Sequence, residues 1–395
     1  MKHKLPKGFL ANGIHCGIKK KRKDISLFYS VKPCKCAAVF TTNKSKAAPV
    51  ILGVEKLKKS NYAQAVVVNS GNANCMTGTR GLKDAKKMVS VTSSALNIPE
   101  DMVHVSSTGV IGVRMPMKPV VKGIPKLVAG LSPLGLAEAV DGIMTTDRFH
   151  KVTSRAFSVG DKKVTITGVA KGAGMINPNM ATMLAYVLTD ANITAGALKM
   201  ALHESTDVSF NAITVDGDMS TNDTVMLLAN GKANNPTITE ASASFTRFRI
   251  NLDIVTKTLA GMIVKDGEGA SKFIEVRVKG AKSKSDAKKA AGAIANSLLV
   301  KCAVHGGDPN WGRVASSVGA SGVAFDPGKM EIILDGIVFF KKGKGTTPRA
   351  GKATKVFKKK NVDIEVNLHS GKAERVLYTC DISKRYISIN SYYTT

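Results

Sequence analysis

The chain has 395 residues, 44% of them hydrophobic and 22% charged. That balance is globular and excludes a disordered or membrane-embedded chain, and the length calls for two or three domains rather than one core. A formal net charge of +29 leaves two readings open, a nucleic-acid surface or a solvated coat that also draws in acidic substrates. The lysines fall in separate clusters, Lys19 to Lys23, Lys282 to Lys289, Lys341 to Lys344 and Lys355 to Lys360, with no aromatic interleaving. Base-stacking platforms need aromatics, so no nucleic-acid partner is expected.

The apolar runs, such as Ala65 to Val68 and Met183 to Leu188, are too short to cross a bilayer, and no membrane partner is expected. No apolar export segment follows the basic residues at Met1 to Lys7, so the expected location is cytoplasmic. Six cysteines in this length are too sparse for a disulfide framework, and Cys34-Lys35-Cys36 lacks a second ligand pair for zinc.

Strand-like and helix-like segments alternate without a fixed repeat, which predicts a mixed α/β fold. Ala65 to Val68 reads as a strand running into the polar turn Asn69-Ser70-Gly71-Asn72-Ala73-Asn74. Leu82, Ala85, Met88, Val89 and Leu96 then share one helical face, and Met102 to Val105 is a further strand. Ser132 and Pro133 resemble an N-cap and first helical residue, predicting a helix through Leu136, Ala139, Val140 and Ile143. Val164 to Val169 alternates as a strand, and Met183 to Thr189 reads as a buried one. Thr194 is placed to cap a helix bearing Leu198, Ala201, Leu202 and Ser205. Phe245, Phe248, Leu252, Val255 and Leu259 keep a 3-4-3-4 spacing, one apolar stripe of a helix. Met262 to Val264 and Phe273 to Val278 read as strands around the turn Lys265-Asp266-Gly267-Glu268-Gly269. Gly280 to Lys289 reads as a surface segment leading into another helix, and a domain boundary is expected near residue 275.

One loop invites a chemical reading: Lys171-Gly172-Ala173-Gly174-Met175-Ile176-Asn177-Pro178-Asn179-Met180-Ala181-Thr182-Met183-Leu184. Its glycines permit positive φ and close backbone approach, so it is able to hold a strained peptide bond. Neither G-x-G-x-x-G nor a Gly-Lys-Ser/Thr ending is present, which sets a phosphate loop aside. On spacing alone it is an ordinary connection between strands. Asp216, Asp218 and Asp223 imitate a calcium loop only in part, because Met219 and Val225 fall where oxygen ligands are wanted. His305, Asp308 and Arg313 surround Trp311, the single tryptophan, in no standard ligand spacing, and a structural or interface role is expected there. No metal site is expected.

The whole chain resembles the ornithine acetyltransferase family of arginine biosynthesis, the glutamate N-acetyltransferases. The resemblance is carried by Pro6-Lys7-Gly8-Phe9, Asn69 to Asn74, Ser106-Ser107-Thr108-Gly109-Val110-Ile111-Gly112, Met144-Thr145-Thr146-Asp147 and the loop just quoted. It continues through Asp216 to Thr224, Asp266-Gly267-Glu268-Gly269-Ala270, His305 to Arg313 and the tail Ile389 to Thr395.

The resemblance implies that the precursor cuts itself between Ala181 and Thr182, giving an α chain of 181 residues and a β chain of 214. Thr182 then serves as an N-terminal nucleophile, its free α-amine accepting the hydroxyl proton. It implies an oxyanion hole at Thr108 and Gly109, and substrate contacts at Thr145, Lys171, Thr182, Glu268, Asn390 and Thr395. Ping-pong transfer of acetyl from N-acetylornithine to glutamate follows, with no cofactor; some members accept acetyl-CoA as a donor substrate. Also implied are sheets sandwiched between helical layers, with residues 1–181 and 182–275 forming the catalytic domain and 276–395 a smaller C-terminal α/β domain whose tail returns to the active site. Two α and two β chains form a heterotetramer. The cleavage chemistry alone equally suits an N-terminal-nucleophile aminopeptidase or amidohydrolase, and the rival from another class is a basic nucleic-acid-binding protein.

Overall fold

The computed structural model describes residues 3–177, 183–346 and 355–392. Eight strands form the first sheet: β1 (Phe9–Ile14), β2 (Ile25–Phe40), β3 (Tyr62–Asn72), β4 (Val103–Val110), β5 (Lys151–Val159), β6 (Lys162–Lys171), β7 (Leu184–Thr189) and β8 (Thr224–Ala229). Their order is β4-β3-β2-β8-β7-β6-β5, with β1 also paired to β2. Six helices belong to this part: α1 (Ala48–Lys59), α2 (Gly78–Leu96), α3 (Met117–Ala129), α4 (Leu136–Ile143), α5 (Ala195–Asp207) and α6 (Ala243–Lys265).

The long strand β2 makes one sheet behave as two. Its first half, Ile25 to Tyr29, pairs with β1 and β3; its second half, Lys35 to Phe40, pairs with β8. The register shifts between Tyr29 and Cys34, and such an irregularity lets a strand bend. The two halves share one core, with Phe28, Val66 and Val68 from one and Tyr186, Leu188, Met226 and Leu228 from the other, and α4 among them. The Phe28 and Tyr186 rings stand 5.1 Å apart. Alternate residues of β3, Ala65 and Val67, turn the other way to meet α2 and α3, as the two-residue period of a strand requires. Helices α5 and α6 cover the outer face of the second half. The result is a helix–sheet–sheet–helix sandwich, as the resemblance implied.

The second sheet opens at β9 (Phe273–Ala281) and adds β10 (Glu331–Leu334), β11 (Ile337–Lys341), β12 (Lys344–Gly345), β13 (Asn361–Asn367) and β14 (Ala373–Cys380). Helices α7 (Lys284–Asn296), α8 (Leu298–Gly306) and α9 (Trp311–Gly319) pack on one face of it around a separate core. The last described helix is α10 (Lys384–Tyr392).

Local signals explain most elements. The Thr194 hydroxyl accepts from Ala197 N–H at 3.1 Å and caps α5, and Ser283 does the same for α7 with Asp286 N–H. Strands β7 and β8 are buried throughout, which suits their unbroken apolar runs better than alternation.

Two expectations need correction. Met262 to Val264 is not a strand: α6 runs on to Lys265, because Ile263 lies four residues beyond Leu259 and continues the buried stripe. Ser132 does not cap α4, which starts at Leu136; instead Ser132 and Ala11 exchange N–H···O bonds of 3.0 and 3.1 Å that hold Ser132 extended. The strand expected at Met102 to Val105 runs further, as β4, since pairing with β3 persists to Gly71 opposite Gly109.

Phe248 of α6 is fully buried and meets the Phe157 ring edge-on at 6.3 Å. Phe248→Ala is expected to cost about 3–5 kcal/mol, read as a lower urea midpoint with an unchanged slope.

Candidate active site

The ends of several strands converge on one rim. Lys171 ends β6 opposite Leu184 of β7, and Leu184 lies opposite Thr224 of β8. The loop from Gly172 to Met183 therefore leaves and re-enters the sheet at neighbouring strand ends. The Asn222 side chain donates to Ala73 O at 2.7 Å and Ser107 O at 2.9 Å. It thereby ties the segment before β8 to the ends of β3 and β4 in the facing half of the sandwich. Ser107 in turn donates to Asn69 Oδ1 at 2.6 Å.

Thr108, Gly109, Thr145, Lys171, Glu268 and Asn390 line a single cavity at this rim, together with Met175, Asp216 and Tyr386. Ala181, Thr182 and Thr395 lie outside the described residues. Gly109 has φ +132°, and a Cβ there would stand 2.3 Å from the Gly71 carbonyl carbon and 2.5 Å from Asn72 N. Only glycine allows this approach of the β3 and β4 backbones.

Lys171 Nζ donates to Thr108 Oγ1 at 3.2 Å, with both groups buried. An ammonium has no lone pair to offer in return, so the Thr108 hydroxyl proton is left to point elsewhere. Burial pushes the Lys171 ammonium below its ordinary value, partly offset by Asp147. Glu268 lies in the turn after α6; its N–H donates to Ala173 O at 2.9 Å, and its Oε2 accepts from Asn390 Nδ2 at 3.0 Å. A Cβ on Gly174 would come within 2.5 Å of that oxygen, so glycine there leaves room for the carboxylate.

These positions are held by a buried ion cluster that the sequence reading did not single out. Lys151 Nζ is fully enclosed between Asp147 Oδ1 at 2.6 Å and Asp266 Oδ2 at 2.5 Å. Asp147 also accepts from Gly172 N–H at 2.8 Å and Thr145 N–H at 2.9 Å, and Arg148 Nε donates to Asp266 at 2.8 Å. Burial alone would raise the Asp147 carboxyl, but Lys151, Lys171 and the Gly172 N–H hold it down to about 2. Lys151 sits only four residues from Asp147, and the quoted Met144-Thr145-Thr146-Asp147 motif contains its partner; the signal was there, without the fold that buries it.

The calcium-loop imitation resolves as backbone capping. Asp216 accepts from Met175 N–H at 2.6 Å and Ile176 N–H at 2.8 Å, and also from the Tyr386 hydroxyl at 3.3 Å. Asp223 accepts from Met183 N–H at 2.9 Å. The cluster near Trp311 is structural too: His305 pairs with Asp381 at 2.7 Å, Arg313 Nη1 donates to Leu299 O, and Trp311 stacks on Phe340 at 5.2 Å. Among the described residues no helix is long and apolar enough to cross a membrane, and no group of three His, Cys, Asp or Glu is arranged to hold a metal.

The sequence profile of the ArgJ family matches residues 10–395. The chain belongs to the ArgJ family. It is 47% identical to the arginine biosynthesis bifunctional protein ArgJ of Caldanaerobacter subterraneus subsp. tengcongensis, over 100% of this chain and 98% of that one. It is 48% identical to the bifunctional ArgJ of Geobacter sulfurreducens, over 98% and 99% of the two chains. The crystal structure of ArgJ from Bacillus halodurans is 40% identical, with a TM-score of 0.51, covering 53% of this chain and 98% of that chain. ArgJ membership over nearly the whole length supports the arginine-biosynthesis reading over the aminopeptidase one. In this ArgJ chain the cavity residues expected from the resemblance come together wherever they are described.

Because Asp147 has a depressed carboxyl in the folded state, its stabilisation is complete above its unfolded value near 3.8 and is lost as pH falls through about 2. Asp147→Asn is expected to cost about 3–5 kcal/mol near pH 6, by leaving Lys151 half-paired. The gap between variant and wild type closes across pH 4 to 2 in acid-unfolding curves.

Proposed function

We propose that this chain transfers the acetyl group of N-acetylornithine to glutamate in arginine biosynthesis, through an acetyl ester on Thr182 released by self-cleavage at Ala181–Thr182. The observation that carries the reading is the cavity itself. It gathers a buried ammonium, a hydroxyl with its proton free, a carboxylate and a covering helix at the rim where the loop bearing Thr182 returns to the sheet.

The steps follow from those groups. Thr182 Oγ attacks the acetyl carbonyl of N-acetylornithine while the Thr182 α-amine takes the hydroxyl proton. The free amine has an ordinary pKa of roughly 7.7–8.0, near neutrality, and so can both accept and return a proton. The oxyanion is met by the Thr108 hydroxyl, whose proton is free because Lys171 already donates to its oxygen, and by Gly109 N–H. Loss of one such donor costs on the order of 3–4 kcal/mol of transition-state stabilisation. The carbon–nitrogen bond breaks, the proton passes from the Thr182 amine to the departing nitrogen, and ornithine leaves. Glutamate enters with its α-amine deprotonated by the same Thr182 amine, attacks the ester, and departs as N-acetylglutamate as the proton returns to Oγ.

Lys171 suits the substrate carboxylate, and Glu268 the α-ammonium of ornithine as it leaves or of glutamate before its deprotonation; Thr145, Asn390 and Thr395 complete the contacts. Helix α10 lies over the cavity, tied down by Asn390 to Glu268 and Ser383 to Gly269 O. Such a cover excludes water, which separates a transferase from a hydrolase. The acetyl group is carried on Thr182, so no cofactor is required; acetyl-CoA serves only as an alternative donor. Two α and two β chains assemble in the cytoplasm. The solved Bacillus halodurans chain, matched over 98% of itself, spans 53% of this one, the size a cut at this bond would leave in residues 182–395.

Intact-mass analysis tests the cut: wild type is expected as two chains of 181 and 214 residues, and Thr182→Ala as a single uncut chain without transferase activity. A wild type that stays whole while transferring acetyl at full rate overturns the reading. Glutamate offered with N-acetylornithine, then with acetyl-CoA, reports which donors are accepted.

A further inference from the structure

Five consecutive basic residues, Lys19-Lys20-Lys21-Arg22-Lys23, lie in the loop between β1 and β2, and the acetyl-transfer steps make no use of them. The loop has a fixed course. Asp24, fully buried, accepts backbone N–H bonds from Cys16, Gly17, Ile18 and Lys19 at 2.6, 3.1, 2.7 and 2.9 Å. Its own N–H donates to Ile14 O at 2.9 Å. One carboxylate thus gathers the backbone that leads into the basic run, through bonds stronger than neutral ones.

The loop lies against the cavity wall at two places. A Cβ on Gly71 would stand 3.0 Å from Lys19 Cγ and 3.1 Å from Ile18 Cγ2, and Gly71 pairs with Gly109, a lining residue. Lys19 Nζ donates to Met144 O at 2.6 Å and Arg22 Nη1 to Thr145 O at 3.4 Å, and Thr145 is another lining residue. Lys20 and Lys21 are exposed between these anchors. Lys23 is neutralised by Glu138 and Asp141, whereas among the described residues no carboxylate pairs with Lys20, Lys21 or Arg22. Burial pushes the Lys19 ammonium down to about 8 against the pull of Asp24, and both Lys171 and Arg22 add to the depression. Arg22, Lys19 and Lys171 form a row of cations from the exposed loop to the cavity interior.

We propose that the β1–β2 loop is a phosphate-binding subsite at the cavity mouth, where Lys20, Lys21 and Arg22 take the nucleotide phosphates of acetyl-CoA. The proposal rests on the acetyl-transfer reading and gives its alternative donor a place. Charge selects the class of ligand. N-acetylornithine has no net charge and glutamate a single negative one, so neither calls for three unpaired cations outside the cavity. Phosphate oxygens do, because ammonium and guanidinium groups give them charge-assisted bonds. Position selects the rest. For an acetyl group to reach Thr108 and Gly109 while its phosphates stay on the exposed loop, a long uncharged arm must lie between them. The pantetheine chain of acetyl-CoA is such an arm, and acetyl phosphate has none. A row of cations leading inward also concentrates an anionic donor at the mouth.

Calorimetric titration of the purified protein with coenzyme A tests the subsite. Wild type is compared with Lys20→Glu/Lys21→Glu, whose exposed positions leave the fold intact, and with Lys358→Glu/Lys359→Glu, an equal charge change at exposed residues of the second sheet's domain. Coenzyme A is expected to bind wild type and the remote variant alike, and the loop variant about tenfold or more weakly. Inorganic pyrophosphate is expected to compete with coenzyme A but to bind far more weakly. In the transfer assay, KM for acetyl-CoA rises about tenfold in the loop variant while KM for N-acetylornithine stays put, and added salt narrows the difference. Several results overturn the proposal: wild type that does not bind coenzyme A, a loop variant that binds it as tightly, or equal loss in the two reversals, which marks a general field. Pyrophosphate binding as tight as coenzyme A marks a general anion patch, and an equal rise in both KM values marks a distorted Thr145 wall; each also overturns it. If N-acetylornithine is not used at all, the acetyl-transfer reading fails instead, and the titrations still decide the subsite.

Discussion

The site depends on one buried cation. Lys151, fully enclosed on β5, is neutralised by Asp147 and Asp266 at 2.5–2.6 Å, and each carboxylate spends its remaining capacity on a different piece of the cavity. Asp147 reaches Thr145 N–H and Gly172 N–H, at the start of the loop between β6 and β7; Asp266 takes Arg148 and stands two residues before Glu268. Three segments far apart in sequence are thereby fixed to one charge. Such a cluster is expensive to bury and contributes little net stability over an apolar replacement, but a half-broken one is severely destabilising. What it provides here is position.

The second constraint is the bend in β2. By pairing its first half with β1 and β3 and its second half with β8, this strand turns a single ladder into two facing sheets. The strand ends from both halves then meet at one rim, where Asn222 links them through Ala73 O and Ser107 O. Thr108 and Gly109 of β4 and the loop between β6 and β7 belong to different halves of the sandwich. A cavity assembled across such a joint is rigid because its supports are strand termini, not free loops.

Electrostatics at the rim is asymmetric in a useful way. The Lys171 ammonium is depressed by burial and leans on Thr108, Asp147 is held ionised by its cations, and Asp223 is driven toward neutrality. Two carboxyls that touch the two ends of the loop between β6 and β7, Asp147 at Gly172 and Asp223 at Met183, are thus pushed in opposite directions by their surroundings.

Much was legible in the residues. The stripe of α6, the Thr194 cap and the apolar runs of β3, β6 and β7 follow from local periodicity and capping, which need only neighbours along the chain. The family motifs named Thr108, Gly109, Thr145, Lys171, Glu268 and Asn390, and all of these line one cavity. Where local rules failed, packing had overruled them: Ser132 is held by Ala11, and Met262 to Val264 stays helical along a buried stripe. The Lys151–Asp266 pair, the Asn222 link to Ala73 and the Asp223 contact with Met183 join residues 115, 149 and 40 positions apart, and no local sequence window contains both partners. By itself the sequence determined which elements form and to which family the chemistry belongs. Only the tertiary structure decided which charges are buried together, because burial is a property of the packed molecule and sets both their pairing and their protonation.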